Sequence, residues 1–478
     1  MYSADDKTSL KYSDFVWEAG LILGPTRSML EFAVRIHSLL VVVAMVTIGS
    51  VVVAQESADS PVLTVDQAVQ IAVANNRTLK IASLDIDKSK WQIAEMKTNR
   101  LPVLKTYIFA AANLNSPAFT FKEATFGTID NIPIPPKDTI IPFSSGIGGS
   151  QLSQIAQPIT QLYKINLGIH AQQLGVDYAN QEYRAKRQSL VSDVKQAYYA
   201  VLESESALEA ARSTVMQYEE TDRVALQYVA QEAILKSESL DVKAKLAQAK
   251  YQVVHLNNEL QTRKEHLNDL LGRDLLTDFH TEAVPPQSFE EIDLTAARQT
   301  ALAQRPEVTE ANIGVKKSIY DRKLAQAQYI PDVSASFHYF SLFTAQILPS
   351  NIASAGIEFS WEPFDWGRRR DVVKEKEISL TQSQVQLEQV RSQVLQDVNN
   401  RYRSLLESRA ALEVAQTARD ASTEKLREAN DKFAKEAVLL RDVLQQHAAV
   451  ANANYDYEQA LLSFWTAKAN FEKAVGKE

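Results

Sequence analysis

The chain has 478 residues, of which 45% are hydrophobic and 23% charged, a composition that excludes an intrinsically disordered protein. Its net charge of −8 argues against a general nucleic-acid binder. The absence of cysteine excludes disulfides, thiolate metal sites and cysteine nucleophiles.

Residues 1–54 are predicted to be an export signal. Arg35 precedes an apolar run that begins at Leu39, and small residues lead up to a cleavage site after Ala54. The alternative is a transmembrane anchor, but the run has only about 15 residues and a spanning helix needs about 20. Residues 1–28 are acidic and do not suit a signal, so Met29 is a candidate for the true start of translation.

The rest of the chain contains one long unit twice. The segment Val201–Ala211 (VLESESALEAA) returns 204 residues later as Leu405–Ala415 (LLESRAALEVA). A repeat of this length predicts two copies of an elongated helical unit rather than several separate domains. We divide the mature chain into a first repeat, an equatorial linker and a second repeat, at residues 55–273, 274–292 and 293–478.

Each repeat is predicted to begin with one helix that ends before a proline. Thr64 and Gln67 form a capping-box pattern, and the helix is expected from Ala68 to about Arg100, before Pro102. The second repeat shows the same pattern at an offset of 229 residues, from Asp293 to Pro331.

Two strands are predicted after each of these helices. In the second repeat, apolar and polar side chains alternate from Val333 to Tyr339 and from Ala355 to Trp361, which is the period of a strand. In the first repeat, strands are expected at Val103–Ala112 and at about Leu152–Leu162. Residues 113–149 between them are rich in Pro, Ser, Gly and Asn, and about 24 of these residues have no counterpart in the second repeat. They predict a loop insertion.

Two long segments without proline predict long helices. One follows Pro158 and the other follows Pro363. Apolar or small residues recur at steps of four and three, as in a coiled coil, at Leu190, Val194, Ala197, Val201, Ser204 and Leu208. Each segment is expected to fold back on itself, with turns near Gln227–Ser237 and Lys432–Arg441.

The strands and helices together predict a channel that several chains share. Four strands leave two open edges, and a sheet in lipid must close into a barrel because every backbone polar group has to be paired. At least about eight strands are needed, so a dimer is the minimum and a trimer supplies twelve. The polar strand faces would line the lumen and the apolar faces would contact outer-membrane lipid. Interfacial girdles are expected from Phe337, Tyr339, Phe340, Phe359, Trp361, Phe364 and Trp366.

The alternative interpretation of these strands is the core of a soluble β domain. Over residues 62–476, however, the chain resembles the TolC family of outer-membrane efflux proteins. The segments that carry this resemblance occur in the family's order: Leu63-Thr64, Ala301–Val308 (ALAQRPEV), Trp361–Arg369 (WEPFDWGRR), Asp442-Val443-Leu444 and Ala474–Gly476.

The resemblance implies a mainly α fold with a small β part. In a homotrimer, the chains would form a twelve-stranded outer-membrane β-barrel that continues into a twelve-helix periplasmic tunnel. The protein would be the passive exit duct of a tripartite efflux pump or a type I secretion system. A periplasmic adaptor (a membrane fusion protein) and an inner-membrane pump would open its periplasmic tip. Most of the chain would lie in the periplasm.

The resemblance also implies a gate at the tip. The family closes its tip with the pattern Asp-Val-Leu-Asp near the start of the last helix; here Asp442 matches the first aspartate and Gln445 replaces the second. A symmetric ring of carboxylates attracts cations. Glu238 and Asp241 occupy the aligned positions in the first repeat and are candidates for nearby charge. The alternative is that Asp442 is a solvated helix residue or forms a salt bridge.

The hairpin turns are the expected contact with the adaptor. The family often has a glycine in each turn, whereas this chain has a glutamate in both repeats, so the bends must form without glycine. The candidate contact residues are Gln231, Glu232, Ala233, Lys435, Glu436 and Ala437. The alternative is that both turns are simply solvated.

No catalytic, cofactor or metal site is predicted. The histidines show no metal-ligand spacing, and the sequence contains no phosphate-binding loop, nucleophile elbow or zinc-peptidase motif. Two alternatives for the whole chain are a periplasmic coiled-coil adaptor or scaffold and an exported enzyme. An adaptor would have one long hairpin flanked by glycine-rich β domains, whereas this sequence predicts two hairpins.

Overall fold

A computed structural model describes most of the chain after the predicted export signal. Residues 1–54 and Glu436 lie outside the described residues. The described ranges are 62–112, 114, 118–142, 147–284, 291–343, 351–433, 435, 437–438 and 440–477.

The first predicted helix is two helices, so the expectation of one continuous helix was wrong. The helix α1 (Val65–Asn75) begins with the predicted capping box, and α2 (Arg77–Thr98) begins after Asn76. Asn76 has an extended backbone, and its side chain accepts hydrogen bonds from two N–H groups of α2. An asparagine in this geometry ends one helix and caps the next.

The second repeat breaks at the equivalent place. Its two short helices are α5 (Leu294–Gln304) and α6 (Pro306–Ala327), and Arg305 between them is extended. Proline occupies the first position of α6, where its missing N–H has no helical partner to lose.

Four long strands form one antiparallel sheet. They are β2 (Val103–Ala112), β7 (Ile147–Pro158), β9 (Asp332–Phe343) and β10 (Asn351–Ser360). The order is β10-β9-β7-β2, so β7 of the first repeat pairs with β9 of the second. Among the described residues, β2 and β10 form the two edges of this sheet. The bounds of β2 are as predicted, whereas β7 begins before Leu152 and ends at Pro158.

The insertion between β2 and β7 is more than a loop, which corrects the prediction for residues 113–149. Its described part holds β3 (Ala118–Phe121) paired with β6 (Thr139–Pro142), and β4 (Thr128–Ile129) paired with β5 (Ile132–Pro133). These ladders are short, which explains why composition alone gave no strand signal.

The sheet does not have one apolar face and one polar face along its whole length. One row across the four strands is polar and consists of Lys105, Gln154, His338 and Ser354. The next row on the same face, towards the strand connections, is apolar and consists of Tyr107, Leu152, Phe340 and Ile352. On the opposite face the order is reversed: the row Leu104, Ile155, Phe337 and Ala355 is followed by the row Thr106, Ser153, Tyr339 and Ala353. The predicted polarity, with one polar and one apolar face, therefore fits only the half of the sheet nearer the helices.

Four long helices form two antiparallel hairpins. The first repeat has α3 (Gln161–Ala230) and α4 (Lys236–Leu271), and the second has α7 (Arg368–Phe433) and α8 (Leu440–Val475). The 70 residues of α3 correspond to a length of about 105 Å. Both turns fall in the predicted ranges, and the predicted heptad positions of α3 from Leu190 to Leu208 are buried. No helix in the described part of the chain combines the length and the apolar character needed to cross a membrane.

Contacts between helices join the two repeats. The helix α3 packs on its hairpin partner α4 and on α8 of the second repeat. The short helix α6 packs on α7 of its own repeat and on α3 of the first repeat. The short helix α2 packs on α3.

The buried Tyr198 fastens the equatorial linker to α3. Strand β1 (Val62–Leu63) pairs in parallel with β8 (His280–Thr281) of the linker. The Tyr198 hydroxyl lies 2.7 Å from the carbonyl oxygen of Leu63 and accepts a hydrogen bond from the N–H of Glu282 at 2.8 Å. Burial raises the pKa of Tyr198 to about 12, so the hydroxyl stays protonated and keeps its donor.

Candidate functional site at the hairpin turns

The first hairpin turn bends at a glutamate in the left-handed region. Gln231 caps the end of α3, and the Ala233 N–H donates to the carbonyl of Tyr228 at 2.9 Å. Glu232 has a φ of +56°, the conformation that helix C-terminal turns usually assign to glycine. The turn thus keeps the glycine geometry without the glycine, at a cost of about 1 kcal/mol for an L-residue.

The second turn repeats a bond of the first. The Ala437 N–H donates to the carbonyl of Lys432 at 2.9 Å, and both residues lie 204 positions after Ala233 and Tyr228. The Lys435 N–H donates to the same carbonyl at 3.1 Å. The two turns therefore share this bond, whereas the N–H of Gln231 donates to Gln227 and the equivalent N–H of Lys435 donates to Lys432.

The predicted gate residues lie at the start of the returning helices. Glu238 is in the first turn of α4 and Asp442 is in the first turn of α8. Asp241 and Gln445 follow one turn later; both are exposed, as is Glu238, whereas Asp442 is half-buried. A carboxylate in a first helical turn is stabilised by the helix dipole, so these residues also have a structural reason to be acidic. Glu238 and Asp241 thus lie together on α4, and Asp442 and Gln445 lie together on α8.

Sequence analysis missed a pair of charged contacts close to both turns. Arg223 donates two hydrogen bonds to Glu220, at 2.6 and 2.8 Å, and these bonds lower the pKa of Glu220. Arg427 donates to Glu424 in the same way, 204 residues later. The spacing Glu-x-x-Arg on a helix is the signal that could have found them. Because the groups are fully exposed, their contribution to stability is small and a role in surface recognition is open to them.

The junction between β10 and α7 carries exposed aromatic side chains. Phe364 and Trp366 pack edge to face with their ring centroids 4.8 Å apart, and Trp366 is 88% exposed. The bend uses positive φ at Trp366 and Gly367. Large aromatics that stay exposed at the end of a sheet are typical of a membrane–water interface.

The acidic residues and histidines of the described ranges do not cluster as metal ligands. No group of three or more His, Asp or Glu side chains in them is placed to hold a metal ion.

Comparisons with known proteins agree with this geometry. A family model described as "Outer membrane efflux protein" matches residues 68–273 and 297–477. The CmeC outer membrane channel of Campylobacter jejuni has a similar structure, with a TM-score of 0.70, 16% identity and coverage of 86% of this chain and 85% of that one. A membrane protein from Pseudomonas aeruginosa gives a TM-score of 0.68, 17% identity and coverage of 86% and 90%.

The open state of the Neisseria gonorrhoeae MtrE outer membrane channel is also similar. Its TM-score is 0.63 at 16% identity, with coverage of 86% of this chain and 89% of that one. Comparison with curated proteins finds no significant match. At these identities the solved structures establish a shared fold, while the family model matches most of both repeats.

Proposed function

The chain belongs to the outer membrane efflux protein family, and we propose that it is the exit duct of a tripartite efflux pump or a type I secretion system. It is an outer-membrane channel with most of its chain in the periplasm. This family membership decides against the periplasmic adaptor or scaffold. We also propose a homotrimer, a gate, an adaptor contact and a division of the chain into two repeats.

The open sheet is the observation that carries the proposal of a homotrimer. Strand β9 lies 229 residues after β2, and β10 lies 204 residues after β7. The contact of β7 with β9 inside the chain can therefore recur between β10 and β2 of another chain. Because unpaired edges are not tolerated in lipid, the sheets must join until they close, and three chains supply the twelve strands of a closed barrel.

The register of the internal contact predicts the register between chains. Gln151 lies opposite Ser341, and the equivalent positions are Ala355 and Ala112. Cysteines at these two small residues are close enough to bond across an antiparallel pair. We expect Ala112→Cys with Ala355→Cys to give covalent trimers, and purified protein to conduct ions stepwise in a planar bilayer. Monomers alone, without conductance, would refute the duct.

Asp442 is the proposed gate residue, with Gln445, Glu238 and Asp241 nearby on the returning helices. Trimer symmetry would turn one half-buried carboxylate per chain into a ring at the periplasmic mouth. We expect Asp442→Asn to weaken block by divalent cations added to the periplasmic side. Glu388→Gln, an exposed carboxylate far from the turns on α7, is the control. An unchanged cation response in Asp442→Asn would rule out the gate.

The two turns are the proposed adaptor contact, through Gln231, Glu232, Ala233, Lys435, Glu436 and Ala437. One backbone bond, from Ala233 to Tyr228 and from Ala437 to Lys432, recurs at both hairpins, and the arginine pairs with Glu220 and Glu424 flank the turns. We expect Arg223→Glu with Arg427→Glu to abolish co-purification of the adaptor while bilayer conductance stays unchanged. Co-purification at the normal level would show that the adaptor binds elsewhere.

The division of the chain is part of the same proposal. Residues 1–54 are the proposed signal, 55–273 and 293–478 the two repeats, and 274–292 the linker. Equivalent strands and turns in both repeats support the two internal boundaries. N-terminal sequencing of the purified protein should begin at Gln55; a different first residue would move the signal boundary.

A further inference from the structure

Within the chain, α3 of the first repeat contacts α8 of the second, and the equivalent helices α7 and α4 could meet in the same way between two chains. On this contact, the side-chain amide of Gln459 on α8 donates a hydrogen bond to Glu203 on α3 at 2.9 Å. Tyr455 lies one turn before Gln459, and the pKa of Tyr455 is raised by burial and by the nearby Glu203. An outgoing helix of the first repeat thus meets a returning helix of the second.

The residues of α4 and α7 at the equivalent positions are exposed in the single chain. The returning helix of the first repeat, α4, has Tyr251 and His255 where α8 has Tyr455 and Gln459. The rings of Tyr251 and His255 are stacked, with 6.4 Å between centroids and 10° between planes, and Tyr251 is 68% exposed. The outgoing helix of the second repeat, α7, has an exposed Glu407 where α3 has Glu203.

We infer that this face of α4 binds α7 of a second copy, with the imidazole of His255 donating a hydrogen bond to Glu407 of the partner subunit. The inference rests on the proposed assembly and assigns residues to its helical part. An imidazole N–H can replace the amide N–H of Gln459 as donor, and both repeats supply a glutamate as acceptor. Tyr251 becomes covered on this contact, as Tyr455 is partly covered within the chain.

A second, independent pair of faces points to the same partner. The helix α2 exposes a stripe of Ile81, Leu84 and Trp91, and Trp91 is 76% exposed. The same stripe on α6 packs against α3, where the rings of Tyr320 and His170 lie 5.8 Å apart. At the repeat offsets, Tyr320 corresponds to Trp91 and His170 to Lys374 on α7.

Trp91 therefore meets Lys374 of the partner subunit, and an ammonium beside an indole is a favourable cation–π pair. On α7 the neighbouring exposed residues Ile378 and Val385 offer apolar surface for the rest of the stripe. Both inferred contacts join the first repeat of one chain to the second repeat of the next. Such a contact is head-to-tail and forms a ring when the rotation closes.

Cross-linking tests the inferred pair directly because the chain has no cysteine of its own. Chains with His255→Cys and chains with Glu407→Cys, carrying different tags, are co-expressed and treated in the outer membrane with a short bismaleimide. We expect a covalent species that contains both tags, and none when either variant is expressed alone. As matched control, Glu203→Cys with Gln459→Cys in one chain reacts with the same reagent and keeps the mass of a monomer.

Two outcomes would overturn the inference. One is cross-linking of His255→Cys chains to one another, which indicates a two-fold contact. The other is no cross-link between the two variants while the disulfide between Ala112→Cys and Ala355→Cys still forms trimers. In that case the trimeric duct stands and the helical contact is wrong. If the sheet-edge disulfide is also absent, the proposed assembly itself fails.

Substitutions separate the hydrogen bond from simple proximity. His255→Gln introduces the same amide donor that Gln459 provides within the chain. The trimer should therefore dissociate in detergent at the same temperature as the unsubstituted protein. His255→Glu places a carboxylate against Glu407 of the partner subunit, and the dissociation midpoint should fall by several degrees. Equal midpoints for both variants would show that this pair does not contribute to the contact.

Discussion

Stability should fall as the pH rises through neutrality, because Glu310 on α6 is uncharged in the folded chain below that range. Burial, followed by repulsion from Glu307 and Glu182, raises the pKa of Glu310 to about 7. The contact is mutual, since Glu310 is the largest cause of the raised pKa of Tyr178 on α3. Lys186 pairs with Glu182 at 2.8 Å, and Arg305 pairs with Glu307 at 2.8 Å. These groups lie outside the strands, on the contact between α3 and α6.

The raised pKa of Glu310 determines the sign and the size of this effect of pH on stability. A carboxyl with a raised folded-state pKa stabilises the fold fully below its unfolded value of 4.5, and this stabilisation is lost as the pH rises through about 7. The full shift corresponds to at most ~3.4 kcal/mol. Because Glu310 is partly exposed, solvent screening reduces the expected effect to ~1–2 kcal/mol.

Thermal unfolding of the detergent-solubilised protein between pH 5 and pH 8.5 measures this effect. Glu310→Gln removes the titrating group, so its unfolding midpoint should depend less on pH than that of the unsubstituted protein, with the difference growing from pH 5 to about pH 7 and staying constant above that. The half-buried Glu458 also has a raised pKa, but it is present in both proteins, so its effect cancels in the comparison. Glu388→Gln, on an exposed carboxylate, should leave the profile unchanged. Identical profiles for Glu310→Gln and the unsubstituted protein would refute the reasoning.

Two further substitutions test the fold. Tyr198→Phe removes the hydroxyl that bonds the carbonyl of Leu63 and the N–H of Glu282; because these two groups also bond each other at 3.2 Å, the free energy of unfolding should fall by ~1 kcal/mol in denaturant titrations. No measurable loss would mean that water replaces the hydroxyl and the linker is not fastened there. Glu232→Gly relieves the left-handed backbone of the first turn and should stabilise the protein by ~1 kcal/mol. A loss of stability would show that contacts of the glutamate side chain outweigh the backbone strain.

The features that the sequence predicts well are those set by local periodicity. The alternation from Val333 to Tyr339 lies within β9, and the buried positions of α3 follow from the heptads. The break at Asn76 is different, because its side chain also donates to the carbonyl of Leu270 at 2.9 Å, 194 residues away. Arg305 likewise pairs with Asp397 at 2.6 Å on a distant helix. The local signals of the two breaks are the cap residue Asn76 and Pro306, whereas the tertiary contacts that hold them are not visible in the nearby sequence.

The polarity of the sheet was also predicted only in part from the sequence. The change of polarity is already present in β9, where Phe340 follows His338 on the same face, but only the register of the four strands shows that it runs across the sheet. The candidate gate could be predicted from the sequence only in part. Sequence analysis placed Glu238 and Asp442 near the starts of the returning helices, where they lie. Whether the carboxylates form a ring depends on other chains, which no periodicity within one chain can encode.

The two repeats differ most in charge where they make equivalent contacts. Within the chain, α6 brings Glu310 against Tyr178 and Glu182 of α3. At the equivalent contact between chains in the proposed assembly, the corresponding residues are Ile81, Gln382 and Gln386. Carboxylates and a phenol are thus replaced by amides and an apolar side chain. A rise in pH should therefore weaken the contact of α6 with α3 within one chain, whereas the equivalent contact of α2 with α7 between chains has no titrating group at these three positions. The alternate contacts around the tunnel would then respond to pH differently, although one duplicated unit builds them all.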